Sequence, residues 1–356
     1  MKITIQLVLI LLVLKSVAQD TSKAVVTLSG FTDVYYVYDF SKPSTTKRLP
    51  FLYNHTRHNA TSLNMGFIRM EVDHRLYRAN IALMSGTYAY DNYIAEPELL
   101  KHVYEGHGGF ALDAKSKWWV DAGIFGSHIG FESAVSKDNP TLTRSLAAEN
   151  SPYFLTGAKL SYKKDSLWEY AVLVCNGWQR IQMVQGNSLP AVCTQVKYGS
   201  SDKVLLNWST FVGTDDPDTL RRMRYFNNLY FQMAVTKQFH LTAAFDIGYQ
   251  QTIKHGKAYS NWFTPILIGR YSFNTRYALA LRGEYFNDQD GVIIANPFGK
   301  QFDVIGTSIN FDYSPVANAM WRIEGKWYTS SSTQFAATGW QARNNFALTT
   351  SFAIGF

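Results

Sequence analysis

The sequence predicts an all-β fold, an antiparallel transmembrane β-barrel of about sixteen strands (roughly 14 to 18) with short turns at one rim and long loops at the other. Three observations point there. Residues 345–356 place Phe346, Leu348, Phe352, Ile354 and Phe356 on one parity and Asn345, Ala347, Thr349, Ser351, Ala353 and Gly355 on the other. A period of two is a strand. Its bulky apolar face and small polar face suit lipid outside and water inside, and a tilted strand of about 9 to 11 residues spans a bilayer. Packing on a soluble core is the competing reading of this segment alone. Second, aromatic residues make up 15% of the chain (22 Tyr, 23 Phe, 9 Trp) and charged residues only 17%. Lipid-facing walls admit few charges, and their rims collect Tyr and Trp. Third, the connections alternate between short and long.

In chain order, residues 1–18 have Lys2, an apolar run from Ile3 to Leu14, and Ser16-Val17-Ala18. This is the pattern of a secretory signal cut after Ala18, leaving 19–356 as one barrel domain. The run is too short for a spanning helix, which needs about 20 residues, and no Cys follows the cut to carry a lipid. Residues 25–40 alternate Val26, Leu28, Val34, Tyr36, Tyr38 and Phe40 against Thr27, Ser29, Asp33 and Asp39, and form the first strand. Residues 41–62 carry two prolines, several cations and the His55/His58 pair, and are expected to be a mobile polar loop without a metal. Residues 64–75 turn Ile68, Met70 and Val72 outward and Arg69, Glu71 and Asp73 inward. Strands at 80–90, 100–112 and 118–125 follow, the first with ambiguous parity. Gly106-His-Gly-Gly109 reads as a strand end or bulge.

From residue 153 the pattern is regular. Strands are expected near 153–163, 167–178, 190–198, 203–213, 225–236, 239–251, 261–273, 276–287, 301–313, 320–329 and 345–356. Connections 163–166, 199–202, 237–238, 274–275 and 314–319 are short, whereas 179–189, 214–224, 252–260, 288–300 and 330–344 are long. Short periplasmic turns with long outer loops are the outer-membrane pattern. Tyr277 and Tyr285 lie on one outward face around Leu279 and Leu281, roughly 20 Å apart along the membrane normal for a strand tilted near 40°, close to an apolar band of about 25 Å. Trp321 and Trp327 repeat the arrangement, and Tyr162 faces Trp168 across a short turn.

The inward parity carries Lys159, Glu169, Asp246, Arg270, Arg282, Glu284, Arg322, Glu324 and Lys326. A closed wall with a charged inside holds water, and sixteen strands leave room for a channel. The alternating signs at 282–284 and 322–326 read as cross-strand ladders that stiffen the wall in preference to a solute site. Residues 126–152 are rich in Ser, Asn and Ala with isolated charges, and so long a loop is expected to fold into the barrel and narrow the pore. In that arrangement Glu132 and Glu149 pair with inward cations, Arg144 stands at the constriction, and 141–148 forms a short helix started by Asn139-Pro140. The alternative is a loop that braces the wall, with Arg144 buried in a salt bridge.

Cys175 and Cys193 fall on neighbouring strands facing the lumen, and an oxidising exterior would permit a disulfide if their Cα atoms lie within about 7 Å. Phe352, Ile354 and Phe356 at the terminal strand read as an assembly signal for the barrel-assembly machinery. The formal charge of +7 falls to +5 once Lys2 and Lys15 leave. It is scattered, which excludes a nucleic-acid footprint and leaves at most a weak preference for anionic solutes or lipopolysaccharide phosphates. No G-x-S-x-G, H-E-x-x-H or Walker-type loop occurs. His240 and Asp246 share the inward face but lie about 20 Å apart along a strand, too far to act together. No enzyme activity, cofactor or metal is expected.

The stretch GIFGSHIGFESAVSKDNPTLTRSLAAENSPYFLTGAKL, residues 123–160, resembles the OmpL-like β-barrel porin family. Echoes of that family are Gly30-Phe-Thr-Asp-Val-Tyr-Tyr, Asn176-Gly-Trp178, Asp246-Ile-Gly, Arg282-Gly-Glu-Tyr285 with Asp288, and Arg322-Ile-Glu324. The central stretch is also similar to polyphosphate-selective porins in its order of Gly-x-Phe, Glu and Thr-Arg-Ser-Leu, but it lacks their run of basic residues. The resemblance implies a pore in the outer membrane of a Gram-negative bacterium, a water-filled channel for passive diffusion of small hydrophilic solutes. Its surroundings would be outer-membrane lipid and lipopolysaccharide, and sixteen-stranded pores are commonly homotrimers. The other class kept open is a structural or adhesive barrel that binds a partner through outer loops at Pro50-Phe-Leu-Tyr53 or Phe335.

Overall fold

The structure, a computed structural model, describes residues 23–200, 203–295, 301–337 and 340–356. The expected signal segment 1–18 lies outside them. Sixteen strands close the barrel: β1 (Val25–Asp39), β2 (Ser62–Asp73), β3 (Tyr77–Ser85), β4 (Val103–Ala111), β5 (Trp118–Gly126), β6 (Phe154–Lys163), β7 (Trp168–Cys175), β8 (Ala191–Ser200), β9 (Val204–Gly213), β10 (Arg224–Ala234), β11 (Phe239–Gln251), β12 (Tyr259–Ser272), β13 (Tyr277–Asp288), β14 (Phe302–Val316), β15 (Ala319–Thr329) and β18 (Asn344–Gly355). A small hairpin, β16 (Phe335–Ala337) with β17 (Trp340–Ala342), stands in the last long loop. Each barrel strand pairs antiparallel with its neighbours, and β1 closes the cylinder on β18 with Phe31 opposite Gly355 and Tyr38 opposite Leu348.

The period-two pattern explains why these segments are strands and which way they face. Leu267, Leu281, Ile305, Ile309, Phe352 and Ile354 all project from the outside, whereas Thr264, Arg282, Ser308, Glu324 and Ser351 on the alternate parity are buried within. At the short-turn rim, aromatic rings on neighbouring strands meet: Trp118 stacks on Tyr162 at 4.3 Å and Tyr277 on Tyr313 at 5.1 Å between centroids, and Trp168 packs tilted on Tyr198 at 4.8 Å. That is a girdle at one membrane interface. The chain end completes the wall through reciprocal backbone bonds between Gly30 and Phe356 of 2.9 and 3.0 Å, with the Phe356 ring lying over Gly30. A Cβ on Gly30 would sit 2.2 Å from that ring.

Several predicted boundaries move. The segment at 80–90 is strand only to Ser85; Gly86 adopts φ 121° and a helical turn, Thr87–Asn92, follows. Its parity was ambiguous because the chain changes period there. The strand placed at 100–112 begins at Val103, after a 3-10 turn over Glu98–His102. β7 stops at Cys175, short of 178, and β14 continues to Val316, which shrinks the 314–319 turn.

The larger correction concerns residues 41–61, which are folded into the long-loop mouth. Leu49, Phe51 and Leu52 are buried, and the Phe51 ring meets Phe302 at 4.9 Å, Tyr328 at 6.1 Å and Phe335 at 6.3 Å. His55 is fully buried, with Nε2 3.0 Å from Asp33 Oδ2. His58 Nδ1 accepts the Asp39 N–H at 2.9 Å. Both histidines pin the loop to β1, because a loop that carries Leu49, Phe51 and Leu52 buries apolar area by turning inward.

Candidate functional site: the lumen and its inserted loops

The inward parity is layered along the barrel axis. Nearest the long loops, Leu155, Leu173, Phe211, Phe226, Trp262, Phe286, Phe302 and Tyr328 form a buried apolar belt into which Phe51, Ile294 and Phe335 insert from the loops. Gly248 makes this belt possible at one point: it lies opposite Trp262 and lets the indole pack where a Cβ would come within 2.0 Å. Below the belt lies a layer of buried charge on β13, β14 and β15. Gly306 has the same role there, opposite Glu284, whose carboxylate passes over it.

Residues 127–153 occupy the middle of the barrel, held on two sides. Toward β13–β15 the contacts are polar. The Leu142 N–H donates to Asn310 Oδ1 at 3.0 Å, the Thr143 N–H to Glu324 at 2.5 Å and the Leu146 N–H to Glu284 at 2.6 Å. Arg322 donates to the carbonyls of Ser136, Asn139 and Thr141, Arg282 to that of Thr143, and Lys326 to that of Arg144. Toward β10–β12 the contacts are apolar, with Ala147 and Phe131 packed on Tyr230, Ala244, Ile266 and Ile268.

The carboxylates and guanidinium groups of the wall neutralise one another. Arg282 lies 2.9 Å from Glu324, 3.6 Å from Glu284 and 3.8 Å from Glu132; Lys326 lies 2.8 Å from Glu284, and Arg322 lies 2.7 Å from Asp312. Arg270 also pairs with Asp312 and donates to the Pro140 carbonyl at 2.8 Å. Buried ions in this number persist only when paired and fully hydrogen-bonded.

Arg144 does not stand at a water-filled constriction. Its side chain is fully buried and donates to the carbonyls of Leu142 and Ala134, both at 2.8 Å, inside its own loop. A guanidinium has five donors, and two loop carbonyls within reach draw it inward. Glu132 does meet an inward cation, Arg282, and also accepts the Ser145 N–H at 3.1 Å and the Ser145 hydroxyl. Among the described residues, Glu149 meets no cation at ion-pair distance. It accepts the N–H groups of Tyr53 and Asn54 at 2.7 and 3.2 Å and the Asn54 side-chain amide at 3.1 Å, which ties residues 41–61 to residues 127–153.

The short helix covers Leu146–Glu149, not 141–148. Ser145 caps it by accepting the Ala148 N–H at 3.2 Å, while Asn139 instead folds back on Ser133 and Val135. Asp246 accepts from the Asn228 amide at 2.5 Å. Lys159 and Glu169 are partly exposed on the opposite arc.

Cys175 and Cys193 are free buried thiols and not a disulfide. They share the inner face, but the register sets Cys175 opposite Ala191 and Cys193 opposite Leu173, a diagonal relation. Phe51, Leu52 and Phe335 are buried, so the aromatic segments that suggested an adhesive surface line the mouth instead of facing a partner.

The most consequential groups missing from the sequence reading are the apolar belt and the clasp on Asp91, which accepts from Lys47, Thr56 and Arg57 at 3.0, 2.7 and 2.8 Å. The belt had a readable signal: Phe286 shares the parity of Arg282 and Glu284 one turn of the pleat nearer the long loop.

The fold is shared with outer-membrane channels of known structure. The outer membrane channel DcaP of Acinetobacter baumannii aligns with a TM-score of 0.61 at 12% identity, over 95% of this chain and 99% of that one. The anion-selective porin from Comamonas acidovorans aligns with a TM-score of 0.60 at 9% identity, over 94% of this chain and 100% of that one. The trimer form of the outer membrane protein OmpT of Vibrio cholerae gives 0.60 at 8%, over 94% and 100%. No curated relative matches the sequence. The family described as "Putative beta-barrel porin-2, OmpL-like" matches residues 25–356, and this chain belongs to it as a barrel porin of the outer membrane.

Proposed function

We propose that small hydrophilic solutes cross this porin by passive diffusion along a narrow, off-centre route past residues 149–153. The observation that carries the reading is a pair of hollows on the two sides of that stretch. Toward the long loops, about 240 Å³ is lined by Tyr53, Asn92, Glu149 and Ser151. Toward the short turns, about 340 Å³ is lined by Arg69, Glu105, Pro152 and Tyr153. A further hollow of about 420 Å³ lies under the loop, against His240 and Arg270. The segment between them is held to the mouth loop by Glu149, by the Asn150 amide to the Phe51 carbonyl at 3.4 Å and by the Asn54 amide to the Tyr153 hydroxyl at 3.3 Å, and on the other side by the Tyr153 N–H to Gln179 at 2.8 Å and the Ser127 N–H to the Tyr153 carbonyl at 2.9 Å. A few hydrogen bonds of about 0.5–1.5 kcal/mol each are a small barrier to local displacement.

Reconstitution in a planar bilayer tests the route. Protein shown to be folded by its altered gel mobility before boiling should give discrete conductance steps. Replacing residues 49–55 with a glycine–serine linker should enlarge them. Folded protein without conductance would refute the channel, and unchanged steps in the linker variant would refute this path. We further propose that the pore assembles as a homotrimer, which cross-linking in native membranes would reveal as a three-chain band. Phe356 is proposed to be read by the barrel-assembly machinery, and the aromatic rims to sit against outer-membrane lipid and lipopolysaccharide.

A further inference from the structure

The hollow at Tyr53 and Asn92 does not end there. It adjoins a second of about 490 Å³, with which it shares Asp215, Arg224 and Val292. Together they fall within the range of roughly 300–1,000 Å³ seen for small-molecule sites. Two partly exposed aromatic rings, Tyr53 and Trp178, belong to this cleft. The Arg224 guanidinium lies 5.1 Å over the Trp178 ring, donates to Gln250 Oε1 at 3.0 and 2.7 Å, and stands 3.6 Å from Asp215. Beside it Arg222 grips Asp216 with two bonds of 2.8 and 2.9 Å.

The charge of the cleft is what selects its ligand. Five carboxylates, Asp91, Glu149, Asp215, Asp216 and Asp290, stand with five cations: Asp91 pairs with Lys47 and Arg57, Asp216 with Arg222 and Asp215 with Arg224, Arg180 adds a cation, and Glu149 is capped by the N–H groups of Tyr53 and Asn54. Formal charge therefore cancels, and the opposite signs alternate over short distances. A cation or anion entering would have to break these pairs and meet a like charge next to its partner, which is costly. A hydroxyl group faces no such conflict, because it donates one bond and accepts two. Vicinal hydroxyls can bridge neighbouring donors and acceptors without displacing either. Asn92, which lines the cleft, holds an acceptor in reserve: the residue is 6% exposed, its amide nitrogen donates to the Tyr53 and Tyr88 carbonyls, and its buried Oδ1 has no hydrogen-bond partner among the described residues, so a small side-chain shift would offer it to a hydroxyl. Arg224 already covers one face of Trp178, so the parts of the Tyr53 and Trp178 rings left exposed in the cleft are what the apolar C–H face of a sugar ring meets.

We infer that this outer-mouth cleft is a recognition site for a neutral polyhydroxylated solute, a mono- or short oligosaccharide, which loads there before passage. The inference rests on the channel reading above. Trp178 is the binding platform and Arg224, held by Gln250 and Asp215, is the donor that orients the sugar.

The test adds glucose, maltotriose or N-acetylglucosamine to the long-loop side of the reconstituted protein, with succinate and lysine as charged controls of similar size. At least one saccharide should interrupt the ion current in a saturable way at concentrations where the charged solutes do not. Trp178→Ala should raise the half-blocking concentration at least tenfold, and Trp178→Phe should restore most of it. The same saccharide should change the tryptophan fluorescence of the detergent-solubilised barrel, and Trp178→Phe should remove that change. Conductance without interruption by any of the three saccharides, or stronger interruption by a charged control, overturns the inference and leaves the channel standing. Without any conductance the channel reading fails, and the fluorescence titration alone then decides whether the cleft binds sugar.

Discussion

The two arcs of the inner wall carry the same residue types and use them differently. On β13 and β15, Arg282, Arg322 and Lys326 are 3%, 0% and 4% exposed, and each is spent on the inserted loop or on a neighbouring carboxylate. On β2, β3 and β6, the side chains of Arg69, Arg78 and Lys159 are 21%, 33% and 27% exposed; Arg69 lines the hollow beside the loop, and Arg78 and Lys159 stand beside Asp121. Sequence parity places five of the six inward, and Arg78 falls just before the strand expected at 80–90. The inserted loop determines which of them become braces and which line water. A lumen charge is thus a structural or a permeation residue according to what stands opposite it, and its strand alone does not say which.

The sharpest way to break that contrast is to remove Arg282, the cation shared by Glu132, Glu284 and Glu324. Arg282→Met takes the paired cation from Glu132 and Glu324 in a buried layer and leaves Glu284 with Lys326, a loss on the order of 3–5 kcal/mol. The temperature at which the unboiled barrel loses its folded gel mobility should fall markedly. An unchanged transition would mean that the loop is held by its backbone contacts alone.

Arg144→Ala should act next most strongly, through the two charge-assisted bonds to Leu142 and Ala134, worth roughly 1.5–3 kcal/mol each before relaxation. Stability should fall while the reversal potential in a salt gradient stays as in the parent. A shifted reversal potential with an unchanged melting transition would return Arg144 to the constriction.

Lys159→Gln makes the opposite pattern. Its ammonium is 4.0 Å from Asp121 and partly exposed, so stability should change by no more than about 1 kcal/mol. Loss of a partly exposed lumen cation should move the reversal potential toward cations. Selectivity unaffected by Lys159 but altered by Arg282→Met would reverse the assignment of the two arcs.

The sequence made the wall legible and the loops largely illegible, for a physical reason. Strands in a membrane barrel must alternate at every position, because lipid and lumen lie on either side of one pleat, so parity reads directly as orientation. Phe352, Ile354, Tyr277 and Glu324 were all placed correctly by that rule. Where the period breaks, at Gly86 and at Glu98–His102, boundaries slipped by several residues. Residues 41–61 looked polar by composition, yet three of them, Leu49, Phe51 and Leu52, decide where the segment goes because they fill the apolar belt. The belt residues share the inward parity of the charges, so parity gives their orientation but carries no sign that loop aromatics fill the space between them. Arg144 could not be placed from sequence, since its partners are two carbonyls of its own loop and carbonyls carry no sequence signal.

The smallest expected effect concerns the clasp that fastens the mouth loop to the turn at Thr87–Asn92. Burial works to raise the Asp91 carboxyl, but the hydrogen bonds from Arg57, Thr56 and Lys47 outweigh it and hold the group below its ordinary value of 3.8. A carboxylate depressed in the folded state contributes stability that is complete above its unfolded value and is lost as the pH falls through the folded one. The clasp should therefore be unaffected from neutral pH down to about 4 and loosen only in stronger acid. Asp91→Asn cannot titrate and should behave at every pH as the parent does in acid. Hydrogen exchange of residues 47–57, taken as the ratio of parent to variant at each pH so that intrinsic exchange cancels, should show several-fold greater protection in the parent at neutral pH. That ratio should approach one in acid. A ratio that already declines between pH 7 and 5 would show that some other group fastens the loop, and the Asp91 contacts would then be a consequence of its closure.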